Sequence, residues 1–196
     1  IVGEKRHDEF VDALSAAFDQ IKVGDPFDAA SHMGPLAMER QRDRVEGFIA
    51  QGKADGARLA AGGGRPSHLN RGYFIEPTVF ANVDNCSAIA REEIFGPVVS
   101  VIPAASEQQA IEIANDTDYG LAGYVWAGDV EKARAVARRI RAGSVAINHA
   151  FDIAARASSP DTGRTPSWSG PRRRRGVRSH CSRPATATAT SRTSMM

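Results

Sequence analysis

Residues 97–148 read PVVSVIPAASEQQAIEIANDTDYGLAGYVWAGDVEKARAVARRIRAGSVAIN, and this stretch decides the fold class. Val98-Val99-Ser100-Val101-Ile102 is a short, almost wholly apolar run, the pattern of a buried strand. Ser106 can cap a helix, with Gln109 three residues on completing a capping box; Ala110, Ile113 and Ala114 then line one helical face. Leu121 to Ala127 reads as a second strand. Asp129 caps a further helix, in which Ala133, Val136, Ala137 and Ile140 recur at helical spacing. Gly143 stops that helix, and Ser144 to Asn148 reads as a third strand. Strands alternating with helices over short loops imply parallel pairing through right-handed crossovers. The predicted class is α/β, a parallel sheet with flanking helices.

Two helices are expected upstream. Phe10, Leu14, Ala17, Phe18 and Ile21 predict one from about Asp8 to Lys22, ended by Gly24-Asp25-Pro26. A very polar helix is predicted over Ala37 to Gly56, with Val45, Phe48 and Ile49 as its narrow buried stripe. Gly62-Gly63-Gly64 reads as loop and lacks the spacing of a dinucleotide fingerprint. Tyr73 to Asn82 reads as extended chain, kept at an edge or irregular by Pro77. No internal repeat is visible.

Charge divides the 196 residues into two unlike parts. Residues 1–153 carry 16 Lys and Arg against 22 Asp and Glu, whereas residues 154–196 carry nine Arg against the single Asp161. The second part has no Leu, Ile, Phe or Tyr, and 14 of its 43 residues are Ser or Thr. Such a composition cannot bury enough apolar area to offset the entropy of ordering, so 154–196 is expected to be a disordered tail and 1–153 the folded part. Its abrupt Arg/Ser/Pro/Thr/Ala bias is also what translation of GC-rich DNA in a shifted frame would give. No run of about eighteen apolar residues exists, which excludes a spanning helix. Cys86 and Cys181 are too few for a disulfide framework or a four-ligand zinc site, and no metal is expected. With no basic-then-apolar start, the cytoplasm is the expected compartment. The first residue is Ile1, so the chain is expected to begin inside a longer protein.

The stretch AREEIFGPVVSV, Ala90 to Val101, closely resembles a motif of the aldehyde dehydrogenase superfamily. VGDPFDAASHMGPL (Val23 to Leu36), GYFIEPTVF (Gly72 to Phe80), IANDTDYGLAGYVWAGDVEKA (Ile113 to Ala133) and AGSVAIN (Ala142 to Asn148) resemble its other landmarks, in family order. The resemblance covers roughly residues 1–153 and implies an incomplete catalytic domain of an enzyme that oxidises an aldehyde to a carboxylic acid with NAD or NADP. It implies cofactor-binding roles for Glu93 and Phe95. Glu93 would accept hydrogen bonds from the nicotinamide ribose, since a carboxylate is a pure acceptor suited to a diol. Phe95 would pack beside the nicotinamide ring. Glu92 is expected to be a surface neighbour, and Gly96-Pro97 to shape the turn into the next strand.

The resemblance also says what is missing. The family's nucleophilic Cys, general-base Glu and oxyanion-holding Asn, with its nucleotide-binding domain, would all lie upstream of Ile1, so this chain contributes no catalytic residue and is expected to be inactive alone. Cys86 lacks a neighbouring base and reads as structural. Phe151 and Ile153 fall where the family varies its aldehyde pocket, which makes them candidate substrate contacts. Asn148 is expected to end the last strand, its side chain capping a turn, and His149 to be a loop residue. The family's Pro-Phe-Gly-Gly motif and terminal oligomerising segment do not appear after Asn148, although the resemblance implies a homo-oligomer. Two other readings stand beside the enzyme fragment: a nonfunctional remnant, and nucleic-acid binding through Arg172 to Arg175, Arg178, Arg183 and Trp168. The second is disfavoured, because a lone basic stretch is nonspecific.

Overall fold

A computed structural model describes residues 1–149. Its elements in chain order are β1 (Val2–Gly3), α1 (Glu4–Asp19), α2 (Glu39–Ala54), β2 (Arg58–Ala61), β3 (Thr78–Ala81), α3 (Ala88–Arg91), β4 (Val98–Ser100), β5 (Pro103–Ala104), α4 (Glu107–Asn115), β6 (Ala122–Val125), α5 (Val130–Ala137) and β7 (Ser144–Ile147). The α/β class holds. Three of the four strand pairings are parallel: β1 with β5, β3 with β4, and β6 with β7; β2 runs antiparallel to β3.

The strand β3 organises the core. All four of its residues are buried, and it is paired on both sides, in the order β2-β3-β4. Residues 73–77 are irregular chain, one of the two alternatives expected around Pro77, but the other, an edge strand, is corrected: the paired part that follows is central. The proline stands immediately before the first paired residue, where its missing N–H costs the ladder nothing. Side chains alternate across a strand, so β3 faces two apolar layers. Phe80 packs with Val45 and Ile49 of α2, and with Ile75, Val83, Ile89 and Ile94. Val79 and Ala81 point the other way, to Val11 of α1 and Val101, with Leu14 and Phe18 around them. The sheet is therefore sandwiched between α1 and α2.

The buried stripe of α1 is rotated from the predicted one. His7 and Val11 are its buried residues, whereas Phe10 is 45% exposed. The spacing of three and four is right, but the face is chosen by β2 and β3, which the local pattern does not see. On α2 the expected stripe is correct, with Val45 and Ile49 buried and Phe48 half-buried. On α4 the most buried side chain is Ile111.

Both predicted helix caps form. The Ser106 hydroxyl accepts from the Gln109 N–H at 3.1 Å, and Gln109 Oε1 accepts in return from the Ala105 N–H at 2.6 Å. Asp129 Oδ1 accepts from the N–H groups of Glu131 and Lys132 at 2.8 and 3.1 Å. The unit β6–α5–β7 is a parallel pair with a crossover helix, as read. The expected single sheet through residues 98–148 does not form among the described residues, because β4 pairs with β3 and β6 only with β7.

Candidate functional site

The loop Glu92–Pro97 leaves α3 and enters β4. Its two ends are fixed by different elements. Ser100 Oγ donates to the Ile89 carbonyl at 2.9 Å, tying α3 back onto β4. Arg91 forms an ion pair with Asp116 at 2.8 Å and also donates to its carbonyl, and Asn85 Nδ2 donates to the same carboxylate at 2.8 Å. At the other end the Thr78 N–H donates to the Pro97 carbonyl at 2.7 Å, and Val98 N–H to the Gly96 carbonyl at 2.8 Å. Gly96-Pro97 thus makes the turn into the strand.

The middle of the loop lies against α2. Gln41 Nε2 donates to the carbonyls of Ile94 and Phe95 at 3.1 and 2.7 Å. The Arg44 guanidinium donates to the Glu93 carbonyl at 2.8 Å and lies 5.0 Å from the Phe48 ring centroid. Gly96 sits on buried Val45, where a Cβ would come within 2.5 Å of Cγ2. Phe95 takes the left-handed conformation, φ +57°, and the residue is 70% exposed. A non-glycine residue in that region is strained by about 1–2 kcal/mol, and such strain gathers at functional sites.

The two predicted cofactor residues therefore share one loop, two positions apart. Glu93 is exposed, and no described residue bonds its carboxylate. An acceptor pair beside an outward aromatic ring suits a polyhydroxyl ligand carrying a flat ring. Glu92 is exposed, as expected. Sequence reasoning missed Gln41 and Arg44. Their signal was the helical spacing of 41, 44 and 45, which places a donor, a cation and a Val on one face of α2.

Asn148 ends β7 at φ +53° and is a structural clasp: its Nδ2 donates to the Ala127 carbonyl at 2.8 Å while its Oδ1 accepts from the Ala127 N–H at 2.9 Å. His149 is exposed. Cys86 carries no free thiol, and its N–H donates to Asp84 Oδ1 at 2.8 Å. Phe151, Ile153, Cys181 and the Arg-rich stretch lie outside the described residues. Gly62 and Gly63 form a loop at positive φ, as read. Next to them an open cleft of about 700 Å³ lies between the end of α1 and residues 62–77; its lining includes Lys22, Asp25, Asp28, His68 and Glu76, and none of the predicted site residues. Among the described residues no helix is long and apolar enough to cross a membrane, and no group of three metal-ligating side chains is clustered.

The sequence pattern of the aldehyde dehydrogenase family matches residues 1–184, past residue 153 where the resemblance is read to fade. Geranial dehydrogenase of Castellaniella defragrans is 52% identical over 143 residues, which is 73% of this chain and 30% of that protein. An aldehyde dehydrogenase of Mycobacterium tuberculosis, solved with NAD+, is 53% identical with a TM-score of 0.75, covering 77% of this chain and 32% of that one. A variant of aldehyde dehydrogenase C from Pseudomonas syringae, solved with NAD+ and octanal, is 43% identical with a TM-score of 0.75, covering 77% and 31%. The chain spans less than a third of the length of these relatives.

Proposed function

Because this chain belongs to the aldehyde dehydrogenase family, we propose that it supplies the nicotinamide-ribose loop of an NAD- or NADP-dependent enzyme that oxidises an aldehyde to a carboxylic acid. The observation that carries the reading is the loop 93–95: a carboxylate bonded to no described residue, two positions from an exposed aromatic ring on a left-handed backbone. In this reading Glu93 accepts hydrogen bonds from the ribose hydroxyls, and Phe95 sets the lateral position of the ring. When bound, the cofactor accepts the hydride. Neither residue transfers a proton or forms a covalent bond, so their contribution is orientation. Phe151 and Ile153 belong to the aldehyde pocket.

The nucleophilic cysteine, the general base and the nucleotide-binding domain come from the remaining two thirds of the family's length, and the 196-residue chain by itself turns over no aldehyde. Strand β6 offers a surface for that remainder. Tyr124 of β6 and the flanking Leu121 and Trp126 are 53%, 77% and 66% exposed. The complete enzyme is a homo-oligomer.

The test uses a chain extended to the length of the relatives. Glu93→Gln keeps the shape and loses the charge. The expected result is a hydride-transfer rate lower by about ten- to a thousandfold, the scale of one to three charge-assisted hydrogen bonds. Hydrolysis of an activated ester, which needs the nucleophile and no hydride transfer, should survive. Equal loss of both activities would make Glu93 a base or a structural residue, and unchanged rates in both would remove the ribose assignment.

A further inference from the structure

We propose that Gln41, on α2, is a positioning residue that holds Phe95 in its left-handed conformation before any ligand arrives. The inference rests on the reading of the 93–95 loop as the cofactor loop. Three consecutive carbonyls of that loop, those of Glu93, Ile94 and Phe95, are taken by two side chains one helical turn apart, Arg44 and Gln41. The next loop residue, Gly96, is seated on Val45 of the same helix.

The geometry selects the backbone. In extended chain, successive carbonyls point in opposite directions. One amide group can reach the carbonyls on both sides of Phe95 only if that residue is folded into a helical, non-extended conformation. The neighbours then set the hand: Arg44 fixes the carbonyl before the pair, and the close approach of Gly96 to Val45 fixes the chain after it. The left-handed well, φ +57° at a phenylalanine, is the result. Without a partner, the same residue would relax toward extended chain, because an L residue with a Cβ is strained there.

Such a clamp acts on affinity through population. A ligand that needs the left-handed form binds with a dissociation constant raised by the reciprocal of the fraction of molecules that hold it. Losing two hydrogen bonds of ordinary net strength lowers the left-handed population relative to other conformers by about thirtyfold.

The primary readout needs no cofactor. In the 196-residue chain, the one-bond Cα–Hα coupling and the Cα and Cβ chemical shifts of Phe95 report the sign of φ. Gln41→Ala removes the donor. Gln41→Glu keeps the shape but turns a carboxylate toward two carbonyls. Both should erase the left-handed signature of Phe95. Gln51→Ala on the same helix, which removes only a 2.7 Å bond to Asp55, should leave it intact. Should both Gln41 variants fail to fold, the unsubstituted chain decides: the Gln41 Nε2 protons should exchange with solvent about tenfold more slowly than those of Gln20, whose amide bonds nothing among the described residues. An unchanged Phe95 signature in a folded Gln41 variant, or equal exchange of the two amides, overturns the proposal. In the chain extended to family length, Gln41→Ala should raise the dissociation constant for NAD(P)H, up to about thirtyfold, by titration of bound-cofactor fluorescence. A lost signature with unchanged cofactor affinity upholds the clamp and overturns the cofactor reading of the loop. An unchanged signature with weakened binding by Glu93→Gln does the reverse.

Discussion

Gly96→Ala tests how tightly α2 and the candidate loop are fitted. An ideal Cβ at residue 96 would stand 2.5 Å from Cγ2 and 2.9 Å from Cγ1 of Val45. Carbon atoms in ordinary contact are about 3.5–4.0 Å apart, so the loop and the helix must separate by roughly 1 Å. Val45 cannot turn aside. It is fully buried, and a β-branched side chain in a helix has one strongly preferred rotamer. The expected cost is that of overpacking, about 1–3 kcal/mol. Val45→Ala removes both methyls, at about 1.6 kcal/mol of transfer free energy plus a cavity term. In that background the nearest remaining Val45 atom is Cβ, 3.3 Å from the added carbon. Gly96→Ala should then cost less than about 0.5 kcal/mol, so the double-mutant cycle should show a coupling of about 1–2 kcal/mol. Urea unfolding of the four proteins, compared at a common m value, measures it. A Gly96→Ala cost that is the same in both backgrounds, within about 0.3 kcal/mol, would refute the packing argument.

Two glycines should respond in opposite senses. Gly62 sits at φ +63°, and a Cβ there would lie 2.1 Å from the Pro77 carbonyl oxygen, so Gly62→Ala should lower stability by about 2 kcal/mol or more; Gly47, exposed within α2 with nothing within 4 Å of an added Cβ, should yield about 0.5–1 kcal/mol of stabilisation as Gly47→Ala. Thermal or urea denaturation separates the two, and a stabilised Gly62→Ala would contradict the close approach. The Glu46 carboxyl is held below its ordinary value of 4.5, first by its hydrogen bonds to the Arg65 guanidinium at 2.5 and 2.8 Å. A depressed carboxylate adds stability that is fully present above the unfolded value and is lost as the pH falls through the folded one. Glu46→Gln should therefore flatten the stability profile below about pH 4.5, by a small amount for so exposed a pair, and leave its neutral limb nearly parallel; a steeper acid limb in the variant would reverse the sign assigned here.

What could be read from the sequence was set by how local each cause is. The caps at Ser106 and Asp129 and the helices that follow them were legible, because a cap and its helix lie within one turn of chain. The strand β2 was missed. Arg58-Leu59-Ala60-Ala61 has no alternating pattern, and it is a strand only because Phe80 and Ala81 pair with it some twenty residues later. The same reason misplaced β3, whose two apolar faces come from helices on opposite sides of the sheet. The resemblance drew attention to Glu93 and Phe95, but nothing in the sequence marks Phe95 as left-handed. No Gly or Asn stands there to signal positive φ, and the clamp from Gln41 crosses more than fifty residues.

These differences in locality bear on the site. A residue that makes contact with a ligand can be found by its chemistry, as a carboxylate or an aromatic ring in a recognised motif. A residue that shapes the backbone under that contact leaves no such mark, because Gln on a polar helix is what any solvated face would carry. Here the supporting side chains are polar or charged and only half-buried or exposed: Gln41, Arg44, and Arg91 on Asp116. Hydrogen bonds of this kind are individually worth about 1 kcal/mol, comparable with the strain of one left-handed residue. The loop is thus held by contacts of the same size as the cost they offset. Altering its shape does not require unfolding the sheet beneath it, and variation at Gln41 and Arg44, which border the buried face of α2, can retune the site while Val45, Ile49 and Phe80 keep the fold.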